Sequence, residues 1–153
     1  MNKQLVDKVF QSKAGLAGIT LRLPVGIVLA AHGAQKLFGW FGGYGLEGTG
    51  QWMASIGLEP GYLMALLAGG IEFFGGLALV FGLLTRPAAA LSALTMLVAI
   101  FSVHIGNGLF ISTSGYEFAL TLFAATLALA IQGGGSFAID SWLRERIGSG
   151  ASA

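Results

Sequence analysis

The apolar runs of this sequence leave little choice of environment. Residues 16–35, 62–84 and 87–106 are each dominated by apolar side chains, and a helix that crosses a bilayer needs about 20 mostly apolar residues. A shorter fourth run, 116–132, starts at Glu117 and has an uncharged centre from Phe118 to Ile131. Charged residues make up 10% of the chain and hydrophobic residues 55%. An ordinary soluble domain carries about 25% charged residues, so this chain could not cover a water-facing surface, and its excess apolar groups must face lipid. The expected architecture is all-α. It is an integral-membrane four-helix bundle forming one domain over residues 1–143, with residues 144–153 as a cytosolic tail.

Composition removes several classes of function. There is no cysteine, which excludes a thiol nucleophile, a disulfide scaffold, a thiolate-held cluster and dithiol chemistry by this chain itself. The net charge is +1 and no run of Lys or Arg occurs, so no nucleic-acid partner is expected. "GYGLEG", Gly43 to Gly48, fits the GxGxxG pattern. It follows no strand and opens no βαβ unit, so no nucleotide site is predicted. His32, His104 and Glu117 are of metal-ligand type but lack tight spacing, and no metal site is predicted.

The connections carry helix punctuation. In "LLTRPAAA", Thr85 can cap the following helix, and Pro87 sits in its first turn, where a missing N–H costs nothing. "GNGLFISTSGYE" reads as a short loop, while residues 36–61 form a long glycine-rich connection with a turn or two of helix over 51–57. Trp40, Tyr44, Trp52, Tyr62 and Tyr116 would form an aromatic belt at one membrane face. Lys3, Lys8, Lys13, Arg86, Arg144 and Arg146 fall on one side of a four-span arrangement, and Lys36 on the other. The positive-inside rule then makes both termini cytosolic. Leu5, Val6, Val9 and Phe10 are spaced as one face of an interfacial helix before the first span. The apolar region after it is too long for a cleaved signal peptide, and Arg22 interrupts it. "GSGASA" reads as a disordered tail.

Against this apolar background the polar residues stand out. Glu72 has no charged neighbour for ten residues on either side, and glycine pairs flank it at 69–70 and 75–76. A lone charge at mid-bilayer costs at least about 2.5–3.5 kcal/mol, so Glu72 requires a cation from another helix. At 100° per residue, Arg22 and Lys36 lie about 40° apart on the first span and His32 about 80° from Arg22. All three share one arc, which must face protein. Arg22 approaches Glu72 from the cytosolic side and Lys36 from the outer side. The glycines, and Ala124, Ala125 and Ala128 on the last span, remove bulk so that helices can approach. His104, Asn107 and Glu117 gather at the outer end with His32 and Lys36. Two readings follow from these groups: a structural salt-bridge cluster, or a polar intramembrane pocket for a ligand, proton or electron carrier.

The chain resembles the DoxX family of bacterial integral membrane proteins. The likeness runs from about Leu16 to Leu143. It rests on "LRLPVGIVLAAHGAQKLFG", on "GGIEFFGGLALVFGLLTRPAA" and on "YEFALTLFAATLALAIQGGGSFAID". The resemblance implies a four-helix inner-membrane protein associated with redox physiology, some members being subunits of quinone-linked or thiol-handling complexes. Arg22, Lys36, Glu72 and Glu117 are matched polar positions without an assigned catalytic role. The expected function is a redox-associated subunit of the bacterial inner membrane that binds a quinone or similar amphipathic molecule. Arg22, His32, Lys36 and His104 would donate to its oxygens, and Glu72 and Glu117 would relay protons. No prosthetic electron carrier is evident, so a redox partner protein would supply electrons. A non-catalytic scaffold or assembly factor is the alternative, and a small transporter would require a homo-oligomer.

Overall fold

The computed structural model describes residues 9–149. Leu5, Val6, Lys3, Lys8 and the tail from Gly150 lie outside the described residues. Six α-helices occur among the described residues, with no strand. They are α1 (Gly15–Phe38), α2 (Gly45–Ser55), α3 (Gly61–Phe81), α4 (Thr85–Ala99), α5 (Glu117–Gln132) and α6 (Ile139–Ser149). α4 continues through a π-helical turn, Ile100–His104, and a 3₁₀ turn, Ile105–Asn107. Three helices are long and apolar enough to cross a membrane: Gly15–Phe38, Gly61–Phe81 and Thr85–Asn107. Their outward faces carry Ile27, Phe74, Phe81, Leu94 and Phe101, which makes lipid their natural solvent. α5 is apolar but shorter.

Glycine sets the closest helix contact. α1 and α3 pack along Gly26, Gly33, Gly69 and Gly76. A Cβ on Gly26 would stand 2.6 Å from the carbonyl oxygen of Gly76, and one on Gly33 would stand 2.7 Å from that of Gly69. Backbone against backbone is reachable only without side chains. A Cβ on Gly70 would meet nothing within 4 Å, and Gly75 faces Ser92 of α4 instead. Only one member of each pair beside Glu72 therefore serves the α1–α3 contact. Of the three alanines expected to help on α5, Ala124 is exposed, whereas Ala125 packs against the core of Val25, Leu29, Leu79, Met96, Leu122 and Leu129.

The end of the molecule near Arg22 is closed by the chain's C-terminal segment. Glycines 133–135 cross over α1, where a Cβ on Gly18 would meet the Gly134 carbonyl oxygen at 2.5 Å. Ser136 N–H then donates to Gly15 O at 2.8 Å. Asp140, 2% exposed, accepts from the Leu84 N–H at 2.7 Å and the Thr85 N–H at 2.8 Å. A carboxylate at a helix N-terminus satisfies orphan donors and meets the positive end of the dipole. The cap of α4 thus comes from a residue 55 positions away. Thr85, expected from sequence to cap, is the first helical residue, and its buried hydroxyl has no hydrogen-bond partner among the described residues.

Helix boundaries differ most at the two short helices. α2 covers Gly45–Ser55 rather than a turn or two near 51–57. It is seated against the start of α3, where a Cβ on Gly50 would lie 3.0 Å from Tyr62 Cα. α6 runs across the domain–tail boundary placed at 143/144. Of the five aromatic residues expected to form a belt, Trp40, Tyr44, Trp52 and Tyr62 are exposed on or beside the connection between α1 and α3, whereas Tyr116 is half-buried.

Candidate functional site

A cavity of about 580 Å³ lies at the Lys36 end of the molecule. α1 contributes Leu29, His32 and Lys36 to its wall, and α3 contributes Ala68 and Glu72. From α4 and its π turn come Thr95, Met96, Ser102 and His104, with Asn107 just beyond. Phe118 and Leu122 of α5 line the far side, and Trp52 of α2 and Ile56 just beyond its end complete the lining. The wall is therefore mostly apolar with a few polar groups converging on it, the usual make-up of a small-molecule site.

The charged centre of that wall is an ion pair. Lys36 Nζ lies 2.5 Å from Glu72 Oε2, with side-chain exposures of 24% and 5%. The pairing follows from the glycine contact. Because Gly33 rides on Gly69, the next turn of α1 brings Lys36 level with Glu72. Such proximity allows each charge to compensate the other where water is scarce. His32, one turn before Lys36, packs its ring 5.7 Å from that of Phe118.

His104 and Asn107 are held by the loop before α5. His104 Nδ1 lies 2.8 Å from Ser114 O. Asn107 Nδ2 donates to Ser114 O at 3.4 Å and to Val103 O at 3.3 Å. On a regular helix, at 100° per residue, His104 would point about 180° away from Thr95. The π turn advances less per residue and swings His104 back toward the face that Thr95 and Ser102 share.

Of the six residues singled out by sequence, four share this cavity: His32, Lys36, Glu72 and His104. Glu117 does not line it. Its Oε1 accepts from the Ile111 N–H at 2.6 Å, which fastens the loop. Arg22 is at the other end of α1 and is not brought to the cavity. Its Nε donates to Gly134 O at 3.1 Å, Nη1 to Leu79 O at 3.1 Å and to Val80 O, and Nη2 to Phe137 O at 2.9 Å. A guanidinium engaged with four carbonyls ties α1 to the end of α3 and to the glycine-rich segment before α6. Among the described residues, no three His, Asp or Glu side chains come together as metal ligands.

Sequence reasoning passed over Trp52, Thr95, Ser102 and Phe118 as wall residues. One signal was available: Thr95 and Ser102 are seven apart, so at 100° per residue they lie within about 20° of each other on an otherwise apolar helix. The placement of Trp52 had no such signal, because it depends on where α2 seats.

Comparison with known proteins agrees with this architecture. The chain is 34% identical over 125 residues to "Putative oxidoreductase CatD" of Bacillus subtilis (strain 168), covering 82% of this chain and 85% of that protein. It is 34% identical over 125 residues to "Inner membrane protein YqjF" of Escherichia coli (strain K12), covering 80% of this chain and 95% of that protein. No solved structure matches significantly. The family profile of DoxX matches residues 17–105, the segment that carries the α1–α3 glycine contact, the Lys36–Glu72 pair and the π turn. The chain belongs to the DoxX family and is a multi-pass inner-membrane protein.

Proposed function

We propose that this protein is a redox-associated membrane subunit that holds a quinone or similar amphipathic molecule in the cavity beside Lys36 and Glu72. The observation that carries the reading is the cavity itself. A purely structural ion pair needs no space, yet about 580 Å³ stands open beside this one, lined also by His32 and His104. A head group there could accept a hydrogen bond from the Lys36 ammonium and exchange a proton with the Glu72 carboxylate. Its apolar tail would leave between helices into lipid. The name of the Bacillus relative points the same way. The chain's own residues supply no electron carrier, so a partner protein would deliver or remove electrons.

Mass spectrometry of lipids extracted from the purified protein tests this reading. The wild type is expected to retain a quinone or another amphiphile in near-stoichiometric amount. Glu72→Gln combined with His104→Ala is expected to release it. Wild-type protein that carries nothing above the level of bulk lipid would overturn the proposal.

The same reading takes α5 as a fourth crossing and residues 1–143 as one membrane domain. At 1.5 Å per residue α5 is about 24 Å long, short of a hydrocarbon core of about 30 Å. The loops at its two ends would then enter the interface. Lys13, Arg86, Arg144 and Arg146 belong to the Arg22 end and Lys36 to the other, a distribution that by the positive-inside rule supports cytosolic termini. Because the chain has no cysteine, Ser55→Cys and Ser149→Cys can each be labelled alone. An impermeant maleimide is expected to reach Ser55→Cys from outside intact cells and Ser149→Cys only after lysis. Labelling of both from one side would reject four crossings.

A further inference from the structure

Three of the helix seams around the cavity are closed. α1 and α3 meet backbone to backbone at Gly33 and Gly69. α1 and α5 are joined by the contact between the rings of His32 and Phe118 and by Leu29 and Leu122, both in the buried core. Met96 of α4 belongs to the same core as Leu122 of α5. The α3–α4 seam is open at this level. Val98 of α4 lines the cavity and is 48% exposed, Ser102 is exposed as well, and Ala68 of α3 is half-buried. The cavity therefore meets lipid between α3 and α4.

A second hollow, of about 360 Å³, lies farther along that seam, toward Leu84 at the hairpin. Gly70, Phe74 and Ala78 of α3 and Pro87, Ala88 and Leu91 of α4 line it, and every lining residue is apolar or glycine. The two hollows share helix faces. Ala68 in the cavity and Gly75 in the groove are seven apart on α3, and Val98 and Leu91 are seven apart on α4, so each pair lies within about 20° on its helix. From Thr95 in the cavity to Leu91 in the groove is a single turn of α4, a rise of about 6 Å. Gly70 supplies room rather than contact, since a Cβ there would meet nothing within 4 Å.

We propose that this groove is the tail site for the molecule held in the cavity. The protein then takes a ligand with a long apolar chain, its head beside Lys36 and Glu72 and its chain laid down the α3–α4 seam. This rests on the proposed function above and adds the route of the tail and the class of ligand, long-chained rather than a small water-soluble ring. With the head at the Lys36 end, the groove runs toward the bilayer centre and the Arg86 hairpin, the direction a lipid tail takes from its head group. Bulk lipid chains are as apolar as the groove and compete for it. A chain tethered to a bound head has a high local concentration there, which decides the competition in its favour.

Full-length protein in nanodiscs can be incubated with a benzoquinone whose decyl chain ends in a diazirine, then illuminated. Label mapped by mass spectrometry is expected on residues 70–91 and is expected to vanish with excess decyl-benzoquinone that lacks the diazirine. Gly70→Leu places a side chain in open space and is expected to cut that labelling about fivefold through lost chain contacts. Ala78→Leu, farther down the groove, is expected to act in the same direction. Benzoquinone without a chain reads the head site alone, through saturable quenching of the fluorescence of Trp52 on the cavity wall in a Trp40→Phe, Trp142→Phe background. That quenching is expected to be equal with and without the groove substitutions. Competed label on α1 or α5, or seam label that both substitutions leave intact, would overturn the tail site while leaving the cavity a quinone site. Label spread over all lipid-facing helices while Trp52 is still quenched would do the same, as would a loss of quenching in both variants. Absence of saturable quenching in the parent would remove the tail site together with the proposed function.

Discussion

Arg22→Ala is expected to be among the most damaging single substitutions in this protein. The guanidinium, 2% exposed, donates to carbonyls of Leu79, Val80, Gly134 and Phe137. It thereby joins α1, the end of α3 and the glycine-rich segment before α6. An acceptor left buried without a partner costs about 1–3 kcal/mol. With several stranded at once, a loss of about 3 kcal/mol or more follows, or about 10 °C in Tm for a chain of this size. Arg22→Lys should recover little of it, because one ammonium cannot span carbonyls on both segments. Arg86→Ala is the control: that arginine lies at the same end with one exposed bond, to Gln11 O. Thermal unfolding in detergent that shows equal losses for Arg22→Ala and Arg86→Ala would refute the clasp.

The second large effect concerns the ion pair. Glu72→Ala leaves the Lys36 ammonium without its counter-charge, and breaking a desolvated pair costs about 3–5 kcal/mol in soluble proteins. Snorkelling and local water reduce that figure in a bilayer, the more so because Lys36 retains 24% exposure. The stability loss is expected to exceed that of Ser92→Ala, which removes a buried hydroxyl that has no hydrogen-bond partner among the described residues. Replacing both charges, as Glu72→Leu with Lys36→Met, should restore much of the stability, since apolar substitutes of similar volume often match a buried pair. The same double variant should retain no amphiphile, because the polar centre of the cavity is gone. Restored stability together with retained ligand would show that the pair only holds helices together. No recovery in the double variant would mean that the pair's geometry, beyond its charge balance, is required.

Much of this protein is written in one dimension. Length and hydropathy are local properties, so the apolar helices could be placed from sequence to within a few residues. Solvation alone dictates that Glu72 must find a cation, and steric reach alone dictates that glycines mark the helix contact beside it. The choice of cation was not local. Arg22 and Lys36 are compatible with Glu72 by helical angle, yet they stand about 21 Å apart along α1. Only the register of Gly33 on Gly69 and Gly26 on Gly76 decides which one is level with the carboxylate. The rest came from chain segments distant in sequence. Asp140 reaches back to cap α4 because glycines 133–135 let the chain cross α1. A π turn redirects His104, which hydropathy cannot register because it conserves composition while changing rotation. Hydropathy sets which segments leave water. Side-chain direction, and with it the site, is set by how those segments are rotated and seated against one another, and those are properties of pairs of helices.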